Sequence, residues 1–476
     1  MKNILQNHIE GIPLTKQRLD DDIFKQLKEH ELSFISQESR ESINGYIENS
    51  LDASKSLWKN LLIDAICILK VNDSREKIYN DVKENIPKFK ENFKTIRLTN
   101  SYGINEIANY IEDFIKFESV LYGTDEHYRD HVEHVLQVWA IGISLISHNK
   151  FVLADKFEIN KDVNFHFELP DNDKKEITIS QSELWAMWTI IALCHDLGYP
   201  IEKTSKINSQ AKKIIGHFGN MNFSELAYSF DIFNTFLVDK FLNIISSKAN
   251  KDNGNSGNTL IQTKYRDKLS KSLEEYKHGI FSSLLLFKNL TYFLETDYYL
   301  PGNILSDEDL RQFYIRKEIL RAIACHTCPK IYHLSLNTLS FLLILCDELQ
   351  EWNRPKFGEL LSRKYNSEPK VEIKEFNIES DQKIHIQFKY DFDIDENSRK
   401  YFVDYKFKNI HCLLRSAKGD NDRKVIFVWD VIFKTVTYTL RFDSNEDSFD
   451  LMRFTKLNTI EGVKSVPENI NIYEKD

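Results

Sequence analysis

Ile190-Ile191-Ala192-Leu193-Cys194-His195-Asp196-Leu197-Gly198-Tyr199-Pro200 is the stretch on which the reading of this chain turns. An apolar run ends in an adjacent His195-Asp196 pair, and Gly198 and Pro200 are expected to stop the helix just beyond it. Burying a carboxylate and an imidazole at the end of such a run costs free energy unless each finds a partner. A metal ion is a common solution, because it takes both side chains as ligands. The alternative is a helix that simply ends in two polar residues, and the other histidines weigh between the two.

Upstream, Tyr128-Arg129-Asp130-His131-Val132-Glu133-His134-Val135-Leu136-Gln137-Val138-Trp139 places His131 and His134 three apart, on one helix face. Val135, Val138 and Leu145 continue that stripe inward, so at least one imidazole faces the core. Downstream, His278 opens the apolar run Gly279–Leu286, whose small residues Gly279, Ser282 and Ser283 permit close approach of a neighbouring backbone. His326 ends the run Ile319–Cys325, with Pro329 just beyond. Asp347 lies in Ser340–Arg354, a strongly apolar segment in which a carboxylate needs a cation, a helix N-terminus or solvent. Glu351 is four residues on and shares its face. Imidazole and carboxylate without thiolate suit Mn²⁺, Fe²⁺, Zn²⁺ or Mg²⁺, one or two per chain. An aspartate such as Asp196 can bridge two ions, and two ions about 3.5–4 Å apart activate water and stabilise the leaving oxygen of a phosphoryl centre.

The rest of the chain frames this set. Its 476 residues allow two or three domains, and 42% hydrophobic with 28% charged residues describe an ordinary globular protein. Only 15 glycines and 9 prolines favour helices over a sandwich of short strands. A net charge of −9 leaves no basic surplus for general nucleic-acid binding. Six cysteines are scattered, and Cys325-x-x-Cys328 has no second pair with which to build a structural zinc site. No apolar stretch is long enough to span a bilayer and the first residues hold no signal-peptide core, so a cytoplasmic protein is expected.

In chain order, 1–120 reads as an N-terminal helical region, clearest at Leu57–Leu69, where apolar residues recur at three and four. It is expected to be a supporting or oligomerisation layer. Residues 149–180 read as a surface hairpin. Lys203 and Lys206 read as solvated, with an anion contact as the alternative. Residues 246–270, with Asn-Gly-Asn-Ser-Gly-Asn, read as a flexible linker or lid. From 366 to 476 the pattern changes to period two, as in Ile384-His385-Ile386-Gln387-Phe388, and predicts a separate small β-rich or α+β domain.

The ordered set His134, His195-Asp196, His278, His326 and Asp347 resembles the HD-domain phosphohydrolase superfamily, whose pattern is H…HD…D with optional histidines between. The match covers roughly residues 121–355, within an expected HD core of 121–365. The resemblance implies a mainly α fold, a helical bundle with its metal site in the core. It implies His134, His195, Asp196, His278, His326 and Asp347 as metal ligands, Asp196 and His131 as catalytic groups, and His131 near the leaving group. Tyr199 stands where deoxynucleoside triphosphate triphosphohydrolases commonly carry a further histidine. The His131–His134 spacing is one residue shorter than in cyclic-nucleotide phosphodiesterases.

The expected function is therefore a divalent-metal-dependent hydrolase of nucleotides, most like a dNTP triphosphohydrolase, with metal-bound hydroxide attacking phosphorus. Arg129, Lys203, Lys330 and Arg354 are candidates for the substrate phosphates. The alternatives are a cyclic-nucleotide or cyclic-dinucleotide phosphodiesterase and a non-catalytic HD module that senses a nucleotide. The expected partner is a nucleotide, with no membrane and with homo-oligomer formation left open.

Overall fold

The computed structural model describes residues 12–14, 35–47, 51–71, 103–122, 131–147, 163–166, 176–219, 232–251, 257–294, 307–328, 338–350, 370–377, 382–390, 425–434, 436–443, 448–455 and 460–463. In chain order the elements are β1 (Ile12–Leu14), α1 (Gln37–Ile47), α2 (Leu51–Val71), α3 (Ile104–Tyr122), α4 (His131–Ser147), β2 (Val163–His166) and β3 (Glu176–Ile179). Then come α5 (Gln181–Cys194), α6 (Tyr199–Gly216), α7 (Ile232–Ile245), β4 (Ser247–Lys251), β5 (Gly257–Ile261), α8 (Thr263–Glu274), α9 (His278–Asn289), α10 (Thr291–Leu294), α11 (Asp307–Cys325) and α12 (Leu339–Leu349). The chain closes with β6 (Lys370–Asn377), β7 (Gln382–Lys389), β8 (Val425–Ile432), β9 (Val436–Asp443), β10 (Ser448–Thr455) and β11 (Ile460–Val463). The fold is thus mostly helical, with a C-terminal mixed sheet.

Helix α5 is apolar on every face, and such a helix is stable only when surrounded. Every residue from Glu183 to Cys194 is buried, with α2, α4, α9, α11 and α12 packed around it. Its start is set by a capping box: Glu183 N donates to Ser180 Oγ at 3.3 Å, and Ser180 N donates to Glu183 Oε2 at 2.9 Å. Arg311 of α11 neutralises the buried Glu183 carboxylate. Three indoles then pin the bundle. Trp58 Nε1 of α2 donates to Leu193 O at 2.9 Å, Trp139 Nε1 of α4 to Thr189 Oγ1 at 3.0 Å, and Trp188 Nε1 to Trp139 O at 3.0 Å. Each buried ring thereby keeps its single polar atom satisfied. Helices α4 and α5 approach so closely because position 142 is glycine: a Cβ there would lie 2.0 Å from the Trp188 ring.

The C-terminal sheet has the order β1-β6-β7-β8-β9-β10-β11. β7 and β8 run parallel and the other neighbours antiparallel. The period-two reading holds: Ile384, Ile386 and Phe388 are buried, while His385 and Gln387 between them are half-buried. Phe427, Trp429 and Val431 of β8 line the same inner face, with Trp429 stacked on Phe388 and Phe427.

Three expectations are corrected. The N-terminal region is not wholly helical, because Ile12–Leu14 pairs with Val371–Ile373 as an edge strand of the C-terminal sheet; a three-residue strand has no periodicity to read. A boundary at 120 falls inside α3, and α2 packs directly on α5, as a supporting layer does. Residues 246–270 are not a plain linker: β4 and β5 form a hairpin in register Ser247↔Ile261 through Lys251↔Gly257, and α8 begins at Thr263. Asn-Gly sequences signal tight turns as readily as linkers. The hairpin expected in 149–180 is present as β2–β3. Among the described residues no helix is long and apolar enough to cross a membrane.

Gly142→Ala forces a methyl group into the Trp188 ring. Overpacking of a tight core costs about 1–3 kcal/mol or more, so a fall of several degrees in the thermal midpoint, read by circular dichroism, is the expected result.

Candidate metal centre

Helix α5 ends at Cys194, and His195 is its C-cap, still in right-handed helical geometry. Asp196 lies in the turn that follows, and Tyr199 N donates to Asp196 O at 2.9 Å as α6 begins. The helix stops here as expected, and a new one begins at once: Pro200 sits in the first turn of α6, where a missing N–H costs nothing. Gly198 serves contact rather than conformation. A Cβ there would lie 2.2 Å from His278 O, and Gly198 N donates to Ser282 Oγ at 2.7 Å. That contact docks the start of α9 onto the turn and brings His278 to Asp196.

Four imidazoles converge on this one carboxylate. His134 Nε2 lies 3.5 Å from Asp196 Oδ2 and 3.0 Å from Asp347 Oδ1. His195 Nε2 lies 3.4 Å from Asp196 Oδ2. On the other side, His278 Nε2 is 3.2 Å and His326 Nε2 3.6 Å from Asp196 Oδ1, and these two nitrogens are 3.1 Å apart. The ligand-like atoms form two groups, His134/His195/Asp196 and Asp196/His278/His326, sharing the aspartate. Helices α4, α5, α9, α11 and α12 each contribute, so the sequence-expected set His134, His195, Asp196, His278, His326 and Asp347 is brought together.

The outer contacts have one pattern. His134 Nδ1 meets Gln350 Oε1 at 2.8 Å, and Gln350 is itself held by Gln137. His195 Nδ1 meets Ala192 O at 2.8 Å, and His326 Nδ1 meets Ile323 O at 2.6 Å. His278 Nδ1 meets Glu202 Oε2 at 2.7 Å. All four partners are acceptors, so each Nδ1 carries a proton and each Nε2 is turned inward, where it can give its lone pair to a metal ion once any proton on it has left, as metal-ligating histidines do. His195 Nε2 is buried with no hydrogen-bond partner. Two inward lone pairs 3.1 Å apart at His278 and His326 repel unless a cation or a proton lies between. These residues fit a divalent cation on each side of Asp196.

The electrostatics agree. Burial pushes the Asp196 carboxyl up, but the facing imidazoles of His195, His278 and His326 hold it well below the usual carboxylate range. Burial likewise opposes the ionised Asp347, and His134 outweighs it, holding Asp347 low. Burial lowers His195 to about 4, keeping it neutral and ligand-ready. Burial also works against a charged His278, yet its bonds to Asp196 and Glu202 win and raise it to about 9.

His131 is buried one turn before His134, tied to α3 by Glu118 Oε1, which accepts from its backbone N at 2.8 Å and meets its Nδ1 at 3.1 Å. Its ring packs against Tyr199 with centroids 4.1 Å apart, and Tyr199 stands 5.4 Å from the His278 ring. Lys203, expected to be solvated, is instead buried, with Nζ 4.4 Å above the Tyr199 ring; it lies one turn after Tyr199 on α6, so the aromatic face covers it. Arg129, Lys330, Arg354 and Glu351 lie outside the described residues. Cys325 and Cys328 flank His326 as buried free thiols, and burial raises Cys325 to about 12.

Sequence reasoning missed Glu202 and Gln350. Glu202 looks like an ordinary acid in a helix first turn, and Gln350 like a polar helix end. Their spacing from the ligands gives no signal, because each acts on an imidazole from another helix. Compared with known proteins, the chain matches no family model, and neither curated proteins nor solved structures include a significant match.

Below about pH 9 the metal-free His278 holds a proton that a metal ion must displace. Metal affinity on that side is therefore expected to rise by about tenfold per pH unit towards pH 9 and to level off above it. Mn²⁺ titrations of metal-free protein at several pH values check this; a flat profile contradicts it.

Proposed function

We propose that this chain is a divalent-metal-dependent phosphohydrolase of the HD-domain type that acts on a nucleotide. The observation that carries the reading is the convergence of four inward-turned Nε2 atoms on Asp196, with Asp347 beside His134, in the chain order H…HD…H…H…D. Divalent ions held there would supply Lewis acidity, the chemistry that activates water and offsets charge on a phosphoryl leaving oxygen. Asp196, shared by both groups, would hold ions on either side, with His134 and His195 on one and His278 and His326 on the other. Gln350, Ala192, Glu202 and Ile323 fix the ring orientations.

Beyond the ligands, the wall formed by Glu118, His131, Tyr199 and Lys203 supplies polar groups for substrate. Glu118 orients His131 for proton transfer near the leaving group. Lys203 brings a buried cation for a phosphate. Its charge, and the full six-ligand set, favour an enzyme over a sensor that has lost its chemistry. A deoxynucleoside triphosphate is the substrate we place first, with intact triphosphate as its product, and a cyclic nucleotide second, with a linear monophosphate.

A hydrolysis panel of dNTPs, NTPs and cyclic mono- and dinucleotides, run with Mn²⁺, Mg²⁺ and no metal and resolved by chromatography, tests the reading. Metal-dependent release of triphosphate or of a linear monophosphate decides between the two substrates. Asp196→Ala is expected to lose both metal equivalents by elemental analysis and to drop turnover to the uncatalysed background. Wild-type protein that binds no metal, or an Asp196→Ala variant that keeps its activity, refutes the proposal.

A further inference from the structure

The two sides of the cluster are not equivalent. Beside His134 and His195 stands a carboxylate of its own, Asp347, 3.0 Å from His134 Nε2. Among the described residues, the group on the other side is Asp196, His278 and His326 alone. What that side has instead is Glu202, one layer out. A single oxygen, Glu202 Oε2, accepts from His278 N at 2.9 Å and meets His278 Nδ1 at 2.7 Å. His278 is the first residue of α9, whose preceding residue Lys277 makes no side-chain cap. Glu202 therefore caps α9 from a different helix and orients the imidazole with the same atom. The other three imidazoles are anchored by neutral acceptors, the Gln350 amide and the carbonyls of Ala192 and Ile323. A carboxylate in that place makes an imidazole a stronger donor through its far nitrogen.

Resting on the dinuclear reading above, we propose that Glu202 is a positioning residue for the metal position formed by Asp196, His278 and His326. Through His278 it supplies the negative charge that Asp347 supplies directly on the opposite side. The two positions consequently answer to different residues, Glu202 for one and Gln350 with Asp347 for the other.

Glu202→Gln separates charge from geometry, since the amide oxygen still accepts from both His278 N–H groups. The experiment titrates Mn²⁺ into metal-free full-length protein in competition with a chromophoric chelator. Wild type is expected to take two equivalents. Glu202→Gln is expected to keep one unchanged and to weaken the other by about tenfold to a hundredfold. Gln350→Leu is expected to weaken the equivalent that Glu202→Gln spares. A purely structural cap would instead lower the melting midpoint of the metal-free protein and affect both equivalents together. Should Glu202→Gln cost the fold, Glu202→Asp, which keeps the charge and shortens the reach, replaces it: weakening confined to one Mn²⁺ equivalent supports the role, and equal weakening of both overturns it. Equal weakening of both equivalents, or no weakening, overturns the role of Glu202 while leaving the metal reading intact. A wild-type protein that binds no Mn²⁺ overturns both.

Discussion

The interaction on which the rest depends is the burial of Asp196 among imidazoles. A lone carboxylate at such a depth is costly, and it stays ionised only where positive charge or proton donors face it from several sides. The groups that face it are His134, His195, His278 and His326, from four different helices, and a proton on His278, or a metal ion held between the imidazoles, would supply the charge. The packing of α4, α5, α9 and α11 is accordingly tied to satisfying one charged group. A bundle held by apolar contacts alone tolerates small slips; one that must bring four nitrogens to the two oxygens of a single side chain does not.

Several unrelated-looking features serve this demand. The indoles of Trp58, Trp139 and Trp188 lock α2, α4 and α5 at fixed depth, so that His134 and His195 meet. Gly198 and Gly279 remove side chains where backbones must nearly touch. A Cβ at Gly279 would lie 2.6 Å from Ile323 O and 2.7 Å from His326 Nδ1. These contacts set where α9 and α11 begin and end, and hence where His278 and His326 stand. The carbonyls of Ala192 and Ile323 are each three residues before the histidine they orient, so a helix C-terminus itself supplies the acceptor that aims the ring.

The asymmetry of the cluster follows from the same geometry. α12 runs close enough to α4 to place Asp347 and Gln350 on His134, giving that side a direct carboxylate and a neutral orienting amide. α6 leaves the His-Asp turn at once and carries Glu202 back over the start of α9. One turn of α6 thus delivers Tyr199, Glu202 and Lys203 to three tasks around one site.

Much of this was legible in the chain. The apolar run into His195-Asp196, His134 on a core-facing stripe, and histidines at the ends of two apolar helices mark the residues that the fold brings together, because burying such groups is intelligible only if they meet. Period-two alternation identified β6, β7 and β9, because each position's face follows from local geometry. What the sequence could not show were facts about pairs far apart. Glu202 and Gln350 look like solvated helix polar residues until His278 and His134 are set beside them, and Lys203 looks exposed until the Tyr199 ring covers it. Ile12–Leu14 has no pattern of its own and becomes a strand only because β6 offers an open edge. Local chemistry determined which residues need partners; tertiary structure alone decided which partners they have, because hydrogen bonds and burial depend on distance in space, not on separation along the chain.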